Sequence, residues 1–242
     1  MQIENSIAVV TGAGRGLGAH LVEQLLAGGA AKVYAGVRDT GSVTATWLGD
    51  PRVEIVALDV TDQASADAAA AAAQDATLLI NNAGTLAFGD ALTSDLADYR
   101  RDLDVNFFGT ITATRAFAPA LVRNAPGAIV NVVTIIAMAP ARGMVGYSAS
   151  KAAGHAFTQA VRAELDGTGV DVLGAYPAQI DTDMLAGVDA EKTAPAVVAE
   201  RIVDGIRTGS AMIYPDDSSA YLGSIYASAP AQLEAIISAN GK

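Results

Sequence analysis

The chain contains no cysteine, which excludes disulfides, thiolate nucleophiles and cysteine-ligated zinc or iron–sulfur centres in one step. Histidine is nearly as scarce. Its two copies, His20 and His155, have no paired ligand spacing and are expected on exposed helix faces rather than at a metal. Aromatic residues make up 5% of the chain, and the single tryptophan, Trp47, is expected to pack. No run reaches about 18 apolar residues, so no membrane-spanning helix is expected. The first residues, Met1-Gln2-Ile3-Glu4-Asn5, do not join a basic stretch to an apolar one, which reads as a cytoplasmic protein without a leader. Cations are outnumbered, 15 against 26 acidic groups, giving a formal charge of −11. That balance repels nucleic acid and anionic membranes, and no basic patch offsets it. Neither is expected as a partner, and no metal is expected.

Half of the 242 residues are hydrophobic (51%), enough to close a sizeable core without staples. No linker rich in Pro, Gly or Ser divides the chain, and one domain over 1–242 is expected. Short β-branched runs alternate with longer helical stretches, the pattern of a parallel sheet covered by helices on both faces. Seven strands are read at Ser6–Thr11, Lys32–Gly36, Val53–Leu58, Thr77–Asn81, Ala128–Val133, Val170–Ala175 and Ala211–Tyr214. Helices are read near Gly16–Leu26, Gln63–Ala73 (with Thr61 as N-cap), Asp95–Arg123, Tyr147–Leu165 and Ala194–Arg207. The fold class is α/β with a doubly wound, Rossmann-like parallel sheet. A weakly patterned stretch near 184–195 is placed where a short substrate lid could sit.

Directly after the first strand stands Thr11-Gly12-Ala13-Gly14-Arg15-Gly16-Leu17-Gly18, and a helical pattern follows at once. Glycine at 12, 16 and 18 lets the backbone turn tightly, approach a pyrophosphate and pack helix on strand, with phosphates at the positive end of the helix. Strand before and helix after make this a dinucleotide loop rather than an ordinary turn.

Farther on, Tyr147 and Lys151 are four residues apart on a predicted helix, so both emerge on one face. An ammonium within about 4 Å of a phenol favours the phenolate by roughly 1 to 4 kcal/mol, which predicts a tyrosine pKa lowered by about one to three units. Such a tyrosine can exchange a proton with a carbonyl or alcohol oxygen.

The spacing Thr-Gly-x-x-x-Gly-x-Gly, followed in order by Asp59 in Leu-Asp-Val-Thr, Asn81-Asn82-Ala83-Gly84, Asn106 and Tyr147-Ser-Ala-Ser-Lys151, resembles the short-chain dehydrogenase/reductase family over nearly the whole chain. The resemblance implies hydride transfer at a nicotinamide cofactor. It implies that Gly12, Arg15, Gly16, Leu17 and Gly18 line the cofactor phosphates, that Asp59 and Val60 hold the adenine, and that the Asn82, Ala83 and Gly84 backbone lies against the cofactor. Read alone, Asp59 serves equally well as a helix-capping carboxylate. Lys151 would also hold the ribose hydroxyls. The backbone carbonyl of Asn106 would position a proton-carrying water; read alone, this asparagine is an ordinary helix residue.

The family places a serine thirteen residues before the tyrosine, and here that residue is Thr134. Its hydroxyl can still donate to a substrate oxygen, although the extra methyl narrows the site. Around it, Ile135, Ile136 and Met144 are expected to line the substrate pocket with Tyr147. The segment Tyr176-Pro177-Ala178-Gln179-Ile180-Asp181-Thr182 resembles the family's nicotinamide-binding loop, so Pro177, Ile180 and Thr182 are assigned to the cofactor. Ala178 stands where glycine is usual and would be strained at a positive φ.

By alignment with the family, the end of the second strand, where NAD-selective folds carry an acid, falls at Val37, followed by Arg38. With Arg15 this predicts NADP(H). Asp39 could neutralise Arg38. The expected activity is NADPH-dependent reduction of a small, mainly apolar ketone or aldehyde, reversible to alcohol oxidation. An NAD-dependent alcohol dehydrogenase and a catalytically silent dinucleotide-binding redox sensor are the alternatives. A homodimer or homotetramer is expected through the long helices at Asp95–Arg123 and Tyr147–Leu165, where Phe107, Phe108, Phe117 and Phe157 appear in excess of one sheet face.

Overall fold

In the computed structural model, which describes residues 1–239, seven parallel strands form one sheet. The last three residues of the expected 1–242 domain lie outside the described residues. The strands are β1 (Ile7–Thr11), β2 (Lys32–Val37), β3 (Val53–Ala57), β4 (Leu78–Asn81), β5 (Gly127–Val132), β6 (Val170–Ala175) and β7 (Met212–Ile213). Their spatial order is β3-β2-β1-β4-β5-β6-β7. The order reverses between β1 and β4, so the loops leaving those neighbours diverge and open a crevice at the carboxyl ends of the strands.

Alternation along the strands builds a core on each face. Ala8 and Val10 of β1, Leu78 and Ile80 of β4, and Ala128 and Val130 of β5 face α1 (Gly16–Ala27) and α6 (Pro195–Thr208). The residues between them, Val9, Leu79 and Ile129, face α2 (Gln63–Ala72), α4 (Gly109–Arg123) and α5 (Val145–Glu164). Trp47 joins the first core, as expected, and is 4% exposed.

Several expectations need correction. The helix predicted over Asp95–Arg123 is three pieces: α3 (Leu96–Leu103), a π-helical turn at Asp104–Phe108, and α4. The apolar pattern runs through all three, which is why the turn did not show. The N-cap of α2 is Asp62, whose carboxylate accepts from the Ala64 N–H at 3.0 Å. Thr61 instead gives its N–H and hydroxyl to Asp59. His20 and His155 are half-buried rather than exposed: His20 pairs with Glu23 at 2.7 Å, and His155 meets the Tyr176 hydroxyl at 2.8 Å. Two further helices, α7 (Asp217–Ser228) and α8 (Pro230–Ala239), escaped the sequence reading, although Asp216 and Ser219 form a capping box at the start of α7. They seal the loop after β5 by packing Ile225, Leu233 and Ile237 against Ala139, Ile136 and Met138. Among the described residues, no helix is long and apolar enough to cross a membrane.

Candidate active site

At the carboxyl ends of β1 and β4, one threonine ties together the two loops that floor the crevice. Thr11, the last residue of β1, accepts from the Asn82 and Ala83 amides at 3.0 and 2.9 Å, and the Asn82 side chain returns a bond to the Thr11 carbonyl at 2.9 Å. The glycine loop is thereby fixed against the Asn82-Ala83-Gly84 turn. Thr11 belongs to the motif, yet its cross-linking role has no signature in the sequence.

Two glycines are required by close approach. A Cβ on Gly12, which has φ of 66°, would stand 2.9 Å from the Ala83 Cα, and one on Gly18 would stand 2.1 Å from the Gly12 carbonyl oxygen. Both gaps are closed to any larger residue, and the first turn of α1 consequently presents its free N–H groups to the crevice. Across it, the Thr182 methyl lies 3.5 Å from where a Cβ on Gly16 would be. The cradle therefore fits a dinucleotide pyrophosphate, with Gly12, Arg15, Gly16, Leu17 and Gly18 on one side and Thr182 on the other.

Around this cradle the remaining predicted cofactor residues are brought together unevenly. Asp59 is half-buried, and its Oδ1 accepts from the Thr61 hydroxyl and N–H at 2.7 and 2.9 Å. Those bonds, with a smaller contribution from the Arg38 field, hold its carboxyl below the usual range. Val60 is buried against Gly109 of α4. Arg15 and Arg38 are exposed, and among the described residues neither lies within ion-pairing distance of a carboxylate. Asp39 does not neutralise Arg38; its carboxylate accepts from the Gly41 N–H at 3.0 Å.

Pro177 is buried, and Ile180 bridges to Thr193 as a parallel pair. The Asp181 N–H donates to the Thr193 carbonyl at 3.0 Å and the Thr193 N–H to the Gln179 carbonyl at 2.9 Å. These bonds tie the base of the excursion that contains the expected lid. Ala178 carries no strain, because Asn5 is the only non-glycine residue of positive φ among the described residues. Its N–H donates to the buried Asp216 carboxylate at 2.9 Å, which holds the loop on an ordinary backbone path.

On the catalytic side, α5 places Tyr147 and Lys151 on one face beside the end of β5. The Lys151 ammonium donates to the Val132 carbonyl at 2.8 Å and lies 5.7 Å from the centroid of the Tyr147 ring. Burial lowers the Lys151 pKa to about 8, while the Asp102 carboxylate opposes that shift. The Tyr147 hydroxyl makes no hydrogen bond to the protein among the described residues.

The predicted depression of the Tyr147 pKa is not present. Burial pushes it up, the Asp102 charge pushes it further, and no hydrogen bond joins the Lys151 ammonium to the phenol oxygen among the described residues. The lysine's hydrogen bond among the described residues goes instead to the Val132 carbonyl.

Asn106 lies in the π-helical turn and is 2% exposed. Its side chain accepts from the Thr85 N–H at 2.8 Å and donates to the Thr85 carbonyl and Ser150 hydroxyl, each at 2.9 Å. Its backbone carbonyl accepts from the Thr110 hydroxyl at 2.9 Å. Asn106 thus joins three elements, and Ser150, inside the Tyr147-to-Lys151 motif but given no role from the sequence, completes the joint by donating to the Tyr147 carbonyl at 2.7 Å.

Thr134 is buried, and its hydroxyl donates to the Pro177 carbonyl at 2.9 Å. Rotation about the Cβ–Oγ bond is needed to turn that proton toward a substrate oxygen. Of the pocket residues, Ile136 and Met144 are half-buried, but Ile135 is 1% exposed and offers a ligand no surface. Ile135 points into the interior because the short helical turn at Ile135–Ala137 rotates it away from its neighbour.

Comparison with known proteins agrees with this geometry. Residues 6–193 match the family model described as short chain dehydrogenase. An uncharacterized oxidoreductase of Staphylococcus aureus (strain N315) is 33% identical over 214 residues, covering 83% of this chain and 90% of that protein. A crystal structure of a short chain dehydrogenase from Burkholderia cenocepacia J2315 in complex with NADP superposes with a TM-score of 0.92 at 40% identity, covering 98% of this chain and 99% of the other. A short chain dehydrogenase/reductase from Burkholderia phymatum in complex with NAD shares the fold, with a TM-score of 0.85 at 24% identity over 94% of each chain.

Proposed function

The chain belongs to the short-chain dehydrogenase/reductase family and is an oxidoreductase of that type; from that premise we propose that it reduces a small, mainly apolar ketone or aldehyde with NADPH, reversibly, using Tyr147 as proton donor. The observation that carries this reading is the Tyr147 hydroxyl, free of protein hydrogen bonds among the described residues and set beside Lys151 at the mouth of the crevice. A bound nicotinamide supplies the hydride, or accepts it in the reverse direction. Tyr147 gives its proton to the carbonyl oxygen as negative charge develops there and removes it again in alcohol oxidation. Lys151 lends positive charge to that exchange and would hold the ribose hydroxyls of a bound cofactor. Thr134 turns its hydroxyl from Pro177 to the same oxygen, while Asn106 keeps the 84–87 loop and α5 in register through Thr85 and Ser150.

NADP(H) is preferred in this reading because Val37 supplies no acid at the end of β2 and the exposed Arg15 and Arg38 stand without carboxylate partners among the described residues. The NADP-bound Burkholderia cenocepacia relative supports the same choice. Ile136 and Met144 favour an apolar substrate, and no lysine or arginine stands between Thr134 and Tyr147 except the exposed Arg142. The cysteine-free composition suits a cytoplasmic setting.

We also propose a homodimer or homotetramer. Phe107, Phe108 and Phe157 form an aromatic cluster, with ring centroids 5.1 and 6.5 Å apart, and Phe108 is 53% exposed. Phe117 does not belong to that surface, being fully buried under the sheet. Light scattering at micromolar concentration should give a multiple of the 24.5 kDa chain mass, and a monomer would refute the assembly.

The deciding experiment follows loss of NADPH absorbance with a panel of aldehydes and ketones. Turnover is expected on small apolar members. Tight cofactor binding with no turnover on any carbonyl would replace the enzyme with a redox sensor, and exclusive alcohol oxidation with NAD would select the dehydrogenase.

A further inference from the structure

Asp102 is one of four acidic residues between Asp95 and Asp104, and it alone of them is fully buried. It precedes Asn106 by four residues, so both side chains lie on the face that α3 and the π-helical turn direct at α5 and the 84–89 loop. One carboxylate oxygen accepts from the Ala87 N–H at 3.3 Å. The same oxygen would lie 3.2 Å from a Cβ on Gly146, so the carboxylate rests against the backbone immediately preceding Tyr147. The other oxygen finds no partner among the described residues.

Packing alone does not account for this arrangement. A buried carboxylate with an unpaired oxygen costs stability, and an apolar side chain of similar volume would fill the space without that cost. What an apolar residue cannot supply is negative charge in a region of low dielectric beside Tyr147 and Lys151. We propose that Asp102 is a positioning residue whose carboxylate keeps Tyr147 and Lys151 in their proton-bearing forms. The proposal rests on the reading of the site given above, since a proton donor in carbonyl reduction must carry its proton.

The electrostatics have the required sign. Burial opposes ionisation of Tyr147, and Asp102 adds to that opposition. For Lys151, burial drives the ammonium toward neutrality, and Asp102 holds it back at about 8. Few other charges intervene: Asp98 and Arg101 on α3, and on α5 Tyr147 and Lys151 themselves; the 84–89 loop contributes no ionisable side chain. The carboxyl of Asp102 is raised in turn by burial, with the Ala87 N–H and Arg101 opposing. Its hold on the pair is therefore lost as pH falls through that raised value.

The test is a titration of the cofactor-free protein labelled with [13Cε]lysine, the Lys151 resonance being assigned by its loss in Lys151→Met. In Asp102→Asn the Lys151 midpoint should fall by about half a unit or more from its position near 8. The high-pH decline of kcat for carbonyl reduction should move to lower pH with it. An unchanged Lys151 midpoint in the folded variant would overturn the proposal, whether or not the melting temperature changes. Should the asparagine variant fail to fold, Asp102→Ser is titrated in the same way, with the same two outcomes. Because the titration needs no turnover, failure of the carbonyl-reduction reading and failure of this proposal give different results.

Discussion

Two buried polar clusters stand at the same end of the sheet and are built on opposite terms. Asn81 and Asn131 are register partners on β4 and β5; the Asn81 side chain donates to Asn131 and Thr114 at 2.8 and 2.9 Å, and Asn131 donates to Thr158 at 2.9 Å. Every member is neutral, and only the Asn81 carbonyl oxygen goes without a partner among the described residues. Next to it, Asp102, Tyr147 and Lys151 bring ionisable groups together, with a carboxylate oxygen and a phenol that have no hydrogen bond among the described residues. The first cluster joins strands to helices at little electrostatic cost. The second leaves donors and charge uncompensated, which destabilises the fold but keeps groups available to a substrate. If this contrast is correct, substitutions should separate cleanly into those that harm rate and those that harm stability.

The largest separation is expected at Tyr147. Tyr147→Phe removes the transferable proton alone and should lower kcat for carbonyl reduction by about 10² to 10⁴-fold, while NADPH affinity by fluorescence titration stays close to wild type. More than a few per cent residual kcat would remove Tyr147 from the chemistry. Next in size is Thr134. Thr134→Val should lower kcat by about a hundredfold, the usual scale for losing one donor to a developing oxyanion. Thr134→Ser should be tolerated. Equal activity of the valine variant would show that the bond to Pro177 is the hydroxyl's whole purpose.

A third substitution probes the cofactor end of the crevice, far from both clusters. Val37→Asp combined with Arg38→Ala should reduce kcat/KM for NADPH by about tenfold to a hundredfold, the worth of one charge-assisted bond to phosphate. NADH should be unharmed, and added salt should weaken NADPH more than NADH in the parent protein. Equal kcat/KM for the two cofactors in the parent would make the arginines plain surface charges.

In the neutral cluster the effect should be structural. Asn131→Ala takes one of two acceptors from the Asn81 amide and the donor from Thr158, and should cost about 2 kcal/mol in denaturant unfolding. Comparable loss of kcat in the surviving folded enzyme would contradict the contrast.

The smallest effect has the opposite sign. Burial holds Lys151 at about 8, below its ordinary 10.5, so the folded state binds fewer protons than the unfolded state between those values. The cost of the buried ammonium is complete below about pH 8 and is relieved as pH rises toward 10.5. Lys151→Met should therefore raise the melting temperature, by roughly 2–4 °C for each kcal/mol recovered. The gain should be largest near neutrality and shrink at alkaline pH. A lower melting temperature at pH 7 would mean that the Val132 hydrogen bond outweighs desolvation.

Much of this protein is legible in its sequence. The glycine loop, the Asn82-Ala83-Gly84 turn and the Tyr147–Lys151 pair are short-range patterns, each set by backbone permissiveness or helical periodicity, and all fall where expected. Asp102 was not readable, because four acids along one amphipathic stretch look alike until a neighbouring helix and loop bury one of them. Ser150 and Thr11 escaped for the same reason: a hydroxyl gains meaning from what it faces. The helices after β7 were overlooked even though Asp216, Ser219 and Pro230 mark their starts.

What the sequence by itself determined is therefore local and periodic: seven β-branched runs, the helices between them, the glycines that admit close backbone approach, and the four-residue spacing of tyrosine and lysine. Tertiary structure alone decided the strand order that opens the crevice between β1 and β4, the π-helical turn that seats Asn106 against Thr85 and Ser150, and the direction of the Tyr147 pKa. These depend on long-range neighbours, since desolvation and hydrogen bonding are set by the groups that surround a side chain in space. Spacing on one helix puts the tyrosine and lysine on one face; in the folded protein the Lys151 ammonium donates to the Val132 carbonyl, and burial with the Asp102 charge sets the direction of the Tyr147 pKa.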